Sequence, residues 1–185
     1  ISLASVYLAN KNYLIQQGSD PFSRSIEVLE KAEGTLEFLR DPALTQKYDS
    51  TLRRMRGDSY YQRALYQEED PQAARADYEK AMEEYRILAQ EETGGENRYQ
   101  LLLSVGDICR TLGEYGQAEE QYRELIREYP EESRAYSSLG LMAIVDMGDA
   151  ETAREMYMQA EGLAAAGEDM NMTTLRQKLE NAGAL

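Results

Sequence analysis

The side chains that most often carry catalysis or bind metals are scarce in this chain of 185 residues. It has no histidine and one cysteine, Cys109, so it offers no histidine-bound metal, no Ser-His or Cys-His pair and no intrachain disulfide. Acidic side chains are abundant, but none forms a recognisable acid–base pair. We therefore expect no enzyme activity and no cofactor. Cys109 falls on an apolar stripe, which predicts a buried packing residue rather than a reactive thiol.

Charge is distributed unevenly along the chain. Residues 1–68 hold nine basic and nine acidic side chains, whereas residues 69–185 hold 11 and 25, so the whole net charge of −14 lies in the second part. This balance argues against nucleic acid and against an anionic membrane surface as direct partners. An acidic surface can steer a basic peptide or keep an extended protein soluble, and we favour the second interpretation.

One basic cluster interrupts this acidic chain. It consists of Arg53, Arg54 and Arg56, with Lys47 nearby. The cluster is a candidate site for an anion or an acidic partner. Basic runs are more often solvated faces or partners of acidic residues elsewhere in the chain, and both interpretations stay open.

Two amphipathic helices joined by a tight turn are predicted between Tyr99 and Pro130. Apolar or small residues recur at spacings of three and four on each side of the turn at 111–116, which carries two glycines. Two short helices of this kind cannot bury both faces alone, so the hairpin requires neighbours. The recurring positions are Leu102, Val105, Gly106 and Cys109 in the first helix and Ala118, Tyr122, Leu125 and Ile126 in the second.

This stretch resembles one tetratricopeptide repeat, a helix–turn–helix unit of about 34 residues that stacks on copies of itself. Only Leu125 departs from the six family positions compared, being larger than the usual alanine. The resemblance implies an all-α fold, a right-handed α-α superhelix (TPR solenoid) of about four helical hairpins with a C-terminal capping helix. It also implies a role in binding proteins or peptides. The matching residues are Gly106, Gly113, Ala118, Tyr122 and Pro130.

A second copy of the signature follows, and it is one residue longer. Tyr122 recurs as Tyr157 after 35 residues. The extra residue lies between Gly140 and Gly148, so we expect a longer turn or a local bulge near residues 146–147.

A third copy is predicted upstream, where Ala74, Tyr78 and Ala81 reproduce the signature of the second helix. The step from Ala74 to Ala118 is 44 residues, so about ten residues are inserted relative to the family period. We assign the insertion to an extended second helix and a Gly-Gly loop at 93–97.

Three Asp-Pro pairs, at 20–21, 41–42 and 70–71, predict helix starts, because aspartate caps a helix N-terminus and proline is tolerated in its first turn. The second helix of the last repeat is predicted to run through 163–167, and Asn171 to cap a final helix. The other predicted helices span residues 3–17, 21–39, 42–68 and 71–92, with Gly57 as a kink or break in the third of them.

The whole chain is predicted to form a single repeat domain. Its final helix should turn Leu175 and Leu179 inward and keep its other side polar, as a terminal lid requires. The predicted divisions are a degenerate first hairpin at 1–41, a second repeat at 42–97, a third at 98–132, a fourth at 133–168 and a capping helix at 170–182.

The family resemblance also implies where a ligand binds, because five positions of each first helix face a concave groove. The carboxylate clamp of chaperone-binding members is absent, since its positions hold Leu103 and Asp107, then Ser137 and Leu141. A hydrophobic or mixed-charge peptide therefore fits better, unless Leu141 packs against the final helix and closes the groove. The candidate residues are Gln100, Leu103, Asp107, Arg110, Thr111, Arg134, Ser137, Leu141, Ile144 and Val145, with Arg56 and Arg63 from the second repeat.

We expect a protein–protein interaction scaffold that binds a peptide or protein segment in this groove. The first nine residues carry no charge but are too short to span a bilayer, and the chain begins with Ile rather than Met. We interpret the first residues as a buried first helix, but these features also motivate an alternative, a regulatory or sensory domain of a larger membrane-anchored protein, for example one linked to a kinase. A self-assembling homo-oligomer is the third hypothesis. The compartment stays open between the cytoplasm and the soluble part of a membrane-anchored protein.

Overall fold

The structure is a computed structural model that describes residues 2–67, 69–92, 94–163 and 169–185. Within those ranges the chain forms ten α-helices, one 3₁₀ turn and one π-helical turn, without a β-strand. The all-α helical repeat expected from the sequence is confirmed. The chain divides into two compact units, unit 1 (Ile1–Thr93) and unit 2 (Gly94–Leu185).

Unit 1 contains five α-helices, and the longest two form an antiparallel hairpin. The first pair replaces the single helix predicted at 3–17, with Asn10 between them. The helix predicted to reach residue 39 ends six residues earlier and is followed by the 3₁₀ turn. The helices are α1 (Ser2–Ala9), α2 (Lys11–Gln16), α3 (Pro21–Glu33), α4 (Pro42–Tyr66) and α5 (Pro71–Glu91), with the 3₁₀ turn at Leu36–Phe38.

Aspartate side chains begin three of these helices, as the Asp-Pro pairs predicted. The Asp20 carboxylate accepts hydrogen bonds from the backbone N–H groups of Phe22 and Ser23, at 2.9 and 3.1 Å. Asp41 and Asp70 accept the equivalent pairs at the starts of α4 and α5. Each cap satisfies backbone donors that have no partner inside the helix.

Helix α4 packs between α3 and α5, and α1 packs on α3. Ala4, Leu29 and Leu52 form a buried cluster that joins α1, α3 and α4. The break predicted at Gly57 is wrong, because α4 runs through this residue without interruption. Gly57 instead allows the ring of Tyr85 on α5 to approach the α4 backbone.

Unit 2 contains two hairpins and a final helix. The first hairpin pairs α6 with α7, the second pairs α8 with α9, and α10 packs on both helices of the second hairpin. Helix α9 ends before the predicted extension at 163–167, of which residues 164–167 lie outside the described part of the chain. The helices are α6 (Gly95–Thr111), α7 (Tyr115–Glu128), α8 (Ser133–Leu141), α9 (Ala150–Glu161) and α10 (Met170–Asn181).

The extra residue of the predicted last repeat lies in a π-helical turn, Met142–Asp146, that continues α8. The N–H of Met147 donates to the carbonyl oxygen of Met142, five residues back, at 3.2 Å. A π turn holds one more residue than an α turn, so the predicted bulge is confirmed.

The final helix differs from its prediction in its cap and agrees in its inward face. Asp169, rather than Asn171, is the N-cap, and its carboxylate accepts from the Asn171 N–H at 2.9 Å. Leu175 and Leu179 are fully buried, as predicted. Helix α10 therefore covers the end of the second hairpin, with its leucines packed inward and its polar residues facing outward.

Candidate functional site

Helices α6 and α8, the first helices of the two hairpins in unit 2, are joined by side chains at their N-terminal ends. The Tyr99 hydroxyl accepts a hydrogen bond from the Ala135 N–H at 3.0 Å. Beside it, Nη1 of Arg134 donates to Oε1 of Gln100 at 3.3 Å. Gln100 and Arg134 are equivalent candidate positions of successive predicted repeats, and the structure brings them into contact.

The same two first helices are joined again at their C-terminal ends. Nε of Arg110 on α6 donates to Oδ2 of Asp146 at 2.5 Å, and these side chains are 26% and 22% exposed. Asp146 is the last residue of the π-helical turn, so the extra residue of the repeat contributes to this ion pair. Because the order of contacts is the same along both helices, α6 and α8 run in the same direction.

Between these two contacts lies Asp107, another candidate residue. Its Oδ1 accepts from the Tyr122 hydroxyl at 2.7 Å, and Ser138 also hydrogen-bonds to the carboxylate. Burial raises the pKa of Asp107, and the Tyr122 hydrogen bond and the charge of Arg110 partly oppose that shift. Burial and the neighbouring carboxylate also raise the pKa of Tyr122, so its hydroxyl stays protonated and donates.

Gly106 allows this contact to form. A Cβ atom at this position would lie 2.6 Å from Cε1 of Tyr122, closer than van der Waals contact permits. The ring is fully buried against the glycine. The small residue on α6 and the aromatic residue on α7 therefore fix the hairpin and place the hydroxyl on Asp107.

Seven of the ten candidate residues in unit 2 reach solvent, and three are buried. Leu103, Ser137 and Leu141 form the buried set. Val145 is half exposed, at the apolar end of the candidate surface. The accessible or partly accessible residues are Gln100, Asp107, Arg110, Thr111, Arg134, Ile144 and Val145.

Helix α10 covers one side of α8. The Ser137 hydroxyl donates to Oδ2 of Asp169, the cap of α10, at 2.7 Å. A Cβ atom at Gly140 would lie 2.6 Å from Cδ2 of Leu175 on α10. Ser137 is thus hydrogen-bonded to the cap of the final helix and is not available to a ligand, while Arg134, on the preceding turn, remains exposed.

Comparison with known proteins bears on the segment that contains α6 and α7. Residues 99–132 match the model of the family described as tetratricopeptide repeat. The chain contains a tetratricopeptide repeat. Such repeats are in general modules for protein–protein interaction and are typically not catalytic. A comparison with curated proteins found no match.

The two candidate residues before this tetratricopeptide repeat are engaged inside unit 1. Arg56 is buried, and its guanidinium donates to Glu84 on α5 at 2.6 Å and to Glu33 on α3 at 2.5 Å. Of the two interpretations of the basic cluster, pairing with acidic residues describes Arg56, and also Arg53, which contacts Asp49 and Glu84.

Arg63 makes a second connection of the same kind. Its Nε and Nη2 contact both oxygens of the buried Asp77 on α5, at 2.6 and 2.7 Å. Its Nη1 donates to the hydroxyl of Ser23 on α3 at 2.8 Å. Arg56 and Arg63, two helical turns apart on α4, therefore each tie α4 to both of its neighbours.

Unit 1 repeats a contact of the tetratricopeptide repeat that the sequence interpretation missed. The Tyr85 hydroxyl donates to Oδ1 of Asp58 at 2.9 Å, and a Cβ at Gly57 would lie 2.9 Å from the Tyr85 ring. This arrangement reproduces the one made by Gly106, Asp107 and Tyr122. The repeated Gly-Asp pair, at 57–58 and 106–107, is the sequence signal that could have identified it.

This contact favours a register in which the second helix is matched seven residues later than the one based on Tyr78, and the first helix five residues earlier than the one that gave Arg56 and Arg63. Tyr85 then corresponds to Tyr122, and Gly57 to Gly106. The glycine and tyrosine are 28 residues apart in unit 1 and 16 in the tetratricopeptide repeat, so the α4–α5 hairpin has longer arms. In this register the counterparts of Gln100, Leu103, Asp107, Arg110 and Thr111 are Thr51, Arg54, Asp58, Tyr61 and Gln62.

No helix within the described ranges is both long and apolar enough to cross a membrane.

Proposed function

We propose that this chain binds an extended segment of a partner protein along the surface formed by α6 and α8. The observation that carries the proposal is the set of accessible side chains at the ligand-facing positions of two successive first helices. The general role of tetratricopeptide repeats in protein interaction supports it.

The chemistry of this surface suggests what the segment contains. Arg134 is exposed at one end and can donate to a carboxylate or a backbone carbonyl. Ile144 and Val145 offer apolar contact at the other end. The ten residue steps from Gln100 to Arg110 rise by about 15 Å along α6, a length that roughly five extended residues cover.

Asp107 adds selectivity at the middle of the surface. Its carboxylate already accepts from Tyr122 and carries a raised pKa because of burial. A ligand carboxylate placed there would be repelled, whereas an amide N–H or a cationic group would be accepted. The segment that fits best has an acceptor near Arg134, a donor in the middle and an apolar side chain at the far end.

Selection from a random peptide display library on the folded chain tests the proposal. Affinities of enriched peptides are then measured by fluorescence anisotropy for Arg134→Glu and Val145→Asp, with Met158→Asp as the control. Met158 is 59% exposed and lies on α9, outside the candidate set.

We expect each substitution on the α6–α8 surface to weaken binding by about tenfold or more and the control to leave it unchanged. A library that yields no binder contradicts the proposal. Peptides whose affinity changes only with Met158→Asp would place binding on another surface and contradict it equally.

A further inference from the structure

Asp146, the last residue of the π-helical turn, contacts the α6–α8 surface although the family pattern did not name it. Its Oδ2 accepts from Nε of Arg110, a candidate residue, at 2.5 Å, and its side chain is 22% exposed. Counted back from the glycine of the following turn, Asp146 has the place of Thr111, another candidate residue. The sequence interpretation counted forward from the helix start and gave that place to Val145. The extra residue of the turn therefore brings a carboxylate to this surface.

The surroundings of Arg110 carry more negative than positive charge. Asp107 lies one helical turn before Arg110 on α6, close enough for the charge of Arg110 to oppose the rise that burial causes in the pKa of Asp107. Asp146 supplies a second carboxylate from the turn that continues α8. We call Asp107, Arg110 and Asp146 the charged cluster. With both carboxylates ionised, its net charge is −1.

The contact between Arg110 and Asp146 leaves polar atoms of both side chains accessible to a ligand. Within the described residues, Nη1 and Nη2 of Arg110 and Oδ1 of Asp146 form no hydrogen bond. An arginine without a carboxylate beside it can bind a ligand carboxylate through two hydrogen bonds. With Asp146 in place, a ligand carboxylate also meets a negative charge, whereas a lysine or arginine side chain meets a free carboxylate oxygen.

The other arginine of this surface has a neutral partner. Arg134 donates to the side-chain amide of Gln100 at 3.3 Å and forms no ion pair in the part of the chain that the structure describes. Glu96 accepts from the same amide rather than from the guanidinium. The two arginines are therefore not equivalent for an acidic ligand, and Asp146 is the residue that distinguishes them.

We propose that Asp146 determines the specificity of the α6–α8 surface, by making the charged cluster select a basic side chain of the bound segment and reject an acidic one. This inference rests on the proposed binding of a segment along α6 and α8. From Gln100, beside Arg134, to Asp107 and Arg110 is seven to ten residue steps, or about 10–15 Å. The basic residue of the segment therefore lies about three to five extended residues from the one that binds Arg134.

A positional scan of a library-selected peptide tests this inference. Each position of the peptide is changed in turn to Lys and to Glu, and affinities are measured by fluorescence anisotropy at about 0.15 M salt, which screens charges more than about 8 Å apart. For the unmodified chain we expect at least one position at which Lys binds about fivefold more tightly than Glu. In Asp146→Asn this ratio should fall by about fivefold, because the net charge of the cluster becomes zero.

Asp49→Asn is the matched control. Asp49 accepts from Nε of Arg53 at 2.7 Å, and its side chain is 25% exposed, so the variant removes the same charge from a similar pair in unit 1. It should leave the Lys-to-Glu ratio unchanged at every position. Both pairs are partly solvated, so both variants should remain folded.

Combining Asp146→Asn with Arg110→Gln separates the effect of charge from that of a lost contact. The double variant lacks the ion pair, but its charged cluster again has a net charge of −1, so the preference for Lys should return. A ratio that stays low in the double variant overturns the proposal, because the lost contact would then be the cause.

Two further outcomes overturn the role of Asp146 without touching the proposed function. One is a Lys-to-Glu ratio that Asp146→Asn leaves unchanged at every position, and the other is an equal fall in Asp49→Asn. A library that yields no binder contradicts the proposed function itself and this inference with it.

Discussion

Arginine side chains on the first helices of the hairpins have different surroundings in unit 1 and unit 2. Arg56 and Arg63 in unit 1 are largely buried, and each joins three helices through carboxylates or a hydroxyl. Arg110 in unit 2 makes one contact with Asp146 and is a quarter exposed, while Arg134 is exposed and bonds only to Gln100 among the described residues. The same residue type therefore serves stability in one unit and is available to a ligand in the other.

The difference in burial and pairing is set by the residues on the helices that face each arginine. In unit 1, acidic residues on α3 and α5 lie opposite α4, as Glu33 and Glu84 do for Arg56. Nothing in the local sequence around Arg56 or Arg63 encodes those distant partners. A basic cluster read from sequence alone therefore cannot distinguish an internal ion-pair network from a binding surface.

The largest effect should come from breaking the buried pair in unit 1. Arg63→Ala leaves the carboxylate of Asp77, a buried residue, without its cation, and should lower the free energy of unfolding by about 3–5 kcal/mol. Arg110→Ala is the comparison variant and should cost at most about 1 kcal/mol, because its pair is partly solvated. Urea unfolding followed by circular dichroism measures both. Equal losses would mean that the two pairs are energetically alike.

The glycine–tyrosine contacts of the two units should differ next. Gly106→Ala places a methyl group 2.6 Å from the Tyr122 ring and should cost about 1–2 kcal/mol after the gain in helix propensity. Gly57→Ala, at 2.9 Å from the Tyr85 ring, should cost less. Thermal unfolding should rank the variants in that order.

Two further glycines extend this series. Gly140→Ala places a methyl group 2.6 Å from Cδ2 of the buried Leu175 and 3.3 Å from Cβ of Met156, so its cost should be close to that of Gly106→Ala. Gly116→Ala meets no atom within 4 Å, so this control should be destabilised least. If Gly116→Ala were the most harmful substitution, close packing would not be the reason for the glycines.

Removing the tyrosine hydroxyls compares the two Gly-Asp pairs directly. Tyr122→Phe removes one of the two side-chain donors to the partly buried Asp107, leaving Ser138, and should cost about 1–3 kcal/mol. Burial raises the pKa of Asp58 as well, but Asp58 is more exposed than Asp107, so water can replace the hydroxyl more easily and Tyr85→Phe should cost less. Denaturant unfolding of both variants and of the unmodified chain gives the difference. A larger loss for Tyr85→Phe would show that exposure does not set the size of the effect.

The smallest effect is a dependence on pH. Burial raises the pKa of Asp107 in the folded chain, so folding disfavours its charged form. The protonated Asp107 side chain therefore favours the folded state. This contribution to the free energy of unfolding is complete below the unfolded-state pKa of about 4, and it is lost as the pH rises through the raised pKa of the folded state.

Asp107→Asn removes this titration while the amide oxygen can still accept from Tyr122. The stability of the variant relative to the unmodified chain should therefore be higher at pH 7 than at pH 4. Urea unfolding at both pH values tests the sign. A relative stability that is the same at both, or higher at pH 4, contradicts the assignment of the raised pKa to Asp107.

Much of the fold could be predicted because the deciding signals are local. Asp20, Asp41 and Asp70 each precede a proline, and this pair of residues specifies a helix start without distant contacts. The bulge after α8 could be predicted by counting residues between Gly140 and Gly148, since one extra residue must lie somewhere between them.

The register of the predicted second repeat could not be decided in the same way. Tyr78 and Tyr85 are seven residues apart, which is two helical turns, so both lie on one face of α5. The pattern of α5 alone fits either tyrosine, and only the contact of Tyr85 with Gly57 and Asp58 on α4 decides between them. When two tyrosines lie seven residues apart on one helix, the sequence cannot decide which of them matches the repeat until their contacts with the neighbouring helix are known.

The candidate surface was predicted only in part for a similar reason. Family geometry named ten positions on α6, α8 and the π-helical turn that continues α8, but burial depends on neighbours that the pattern does not describe. Ser137 is removed from the surface by Asp169 at the start of α10. Arg134, on the preceding turn of α8, has no such neighbour in the described structure and stays exposed.

The most direct test of this account measures stability and peptide affinity on the same pair of variants. Arg63→Ala should lower the free energy of unfolding while its folded fraction binds a library-selected peptide normally. Arg134→Ala should leave the free energy of unfolding unchanged and weaken the affinity for that peptide by about tenfold. The account is contradicted if Arg63→Ala weakens binding by the folded chain as much as Arg134→Ala does, or if Arg134→Ala destabilises the chain without affecting binding.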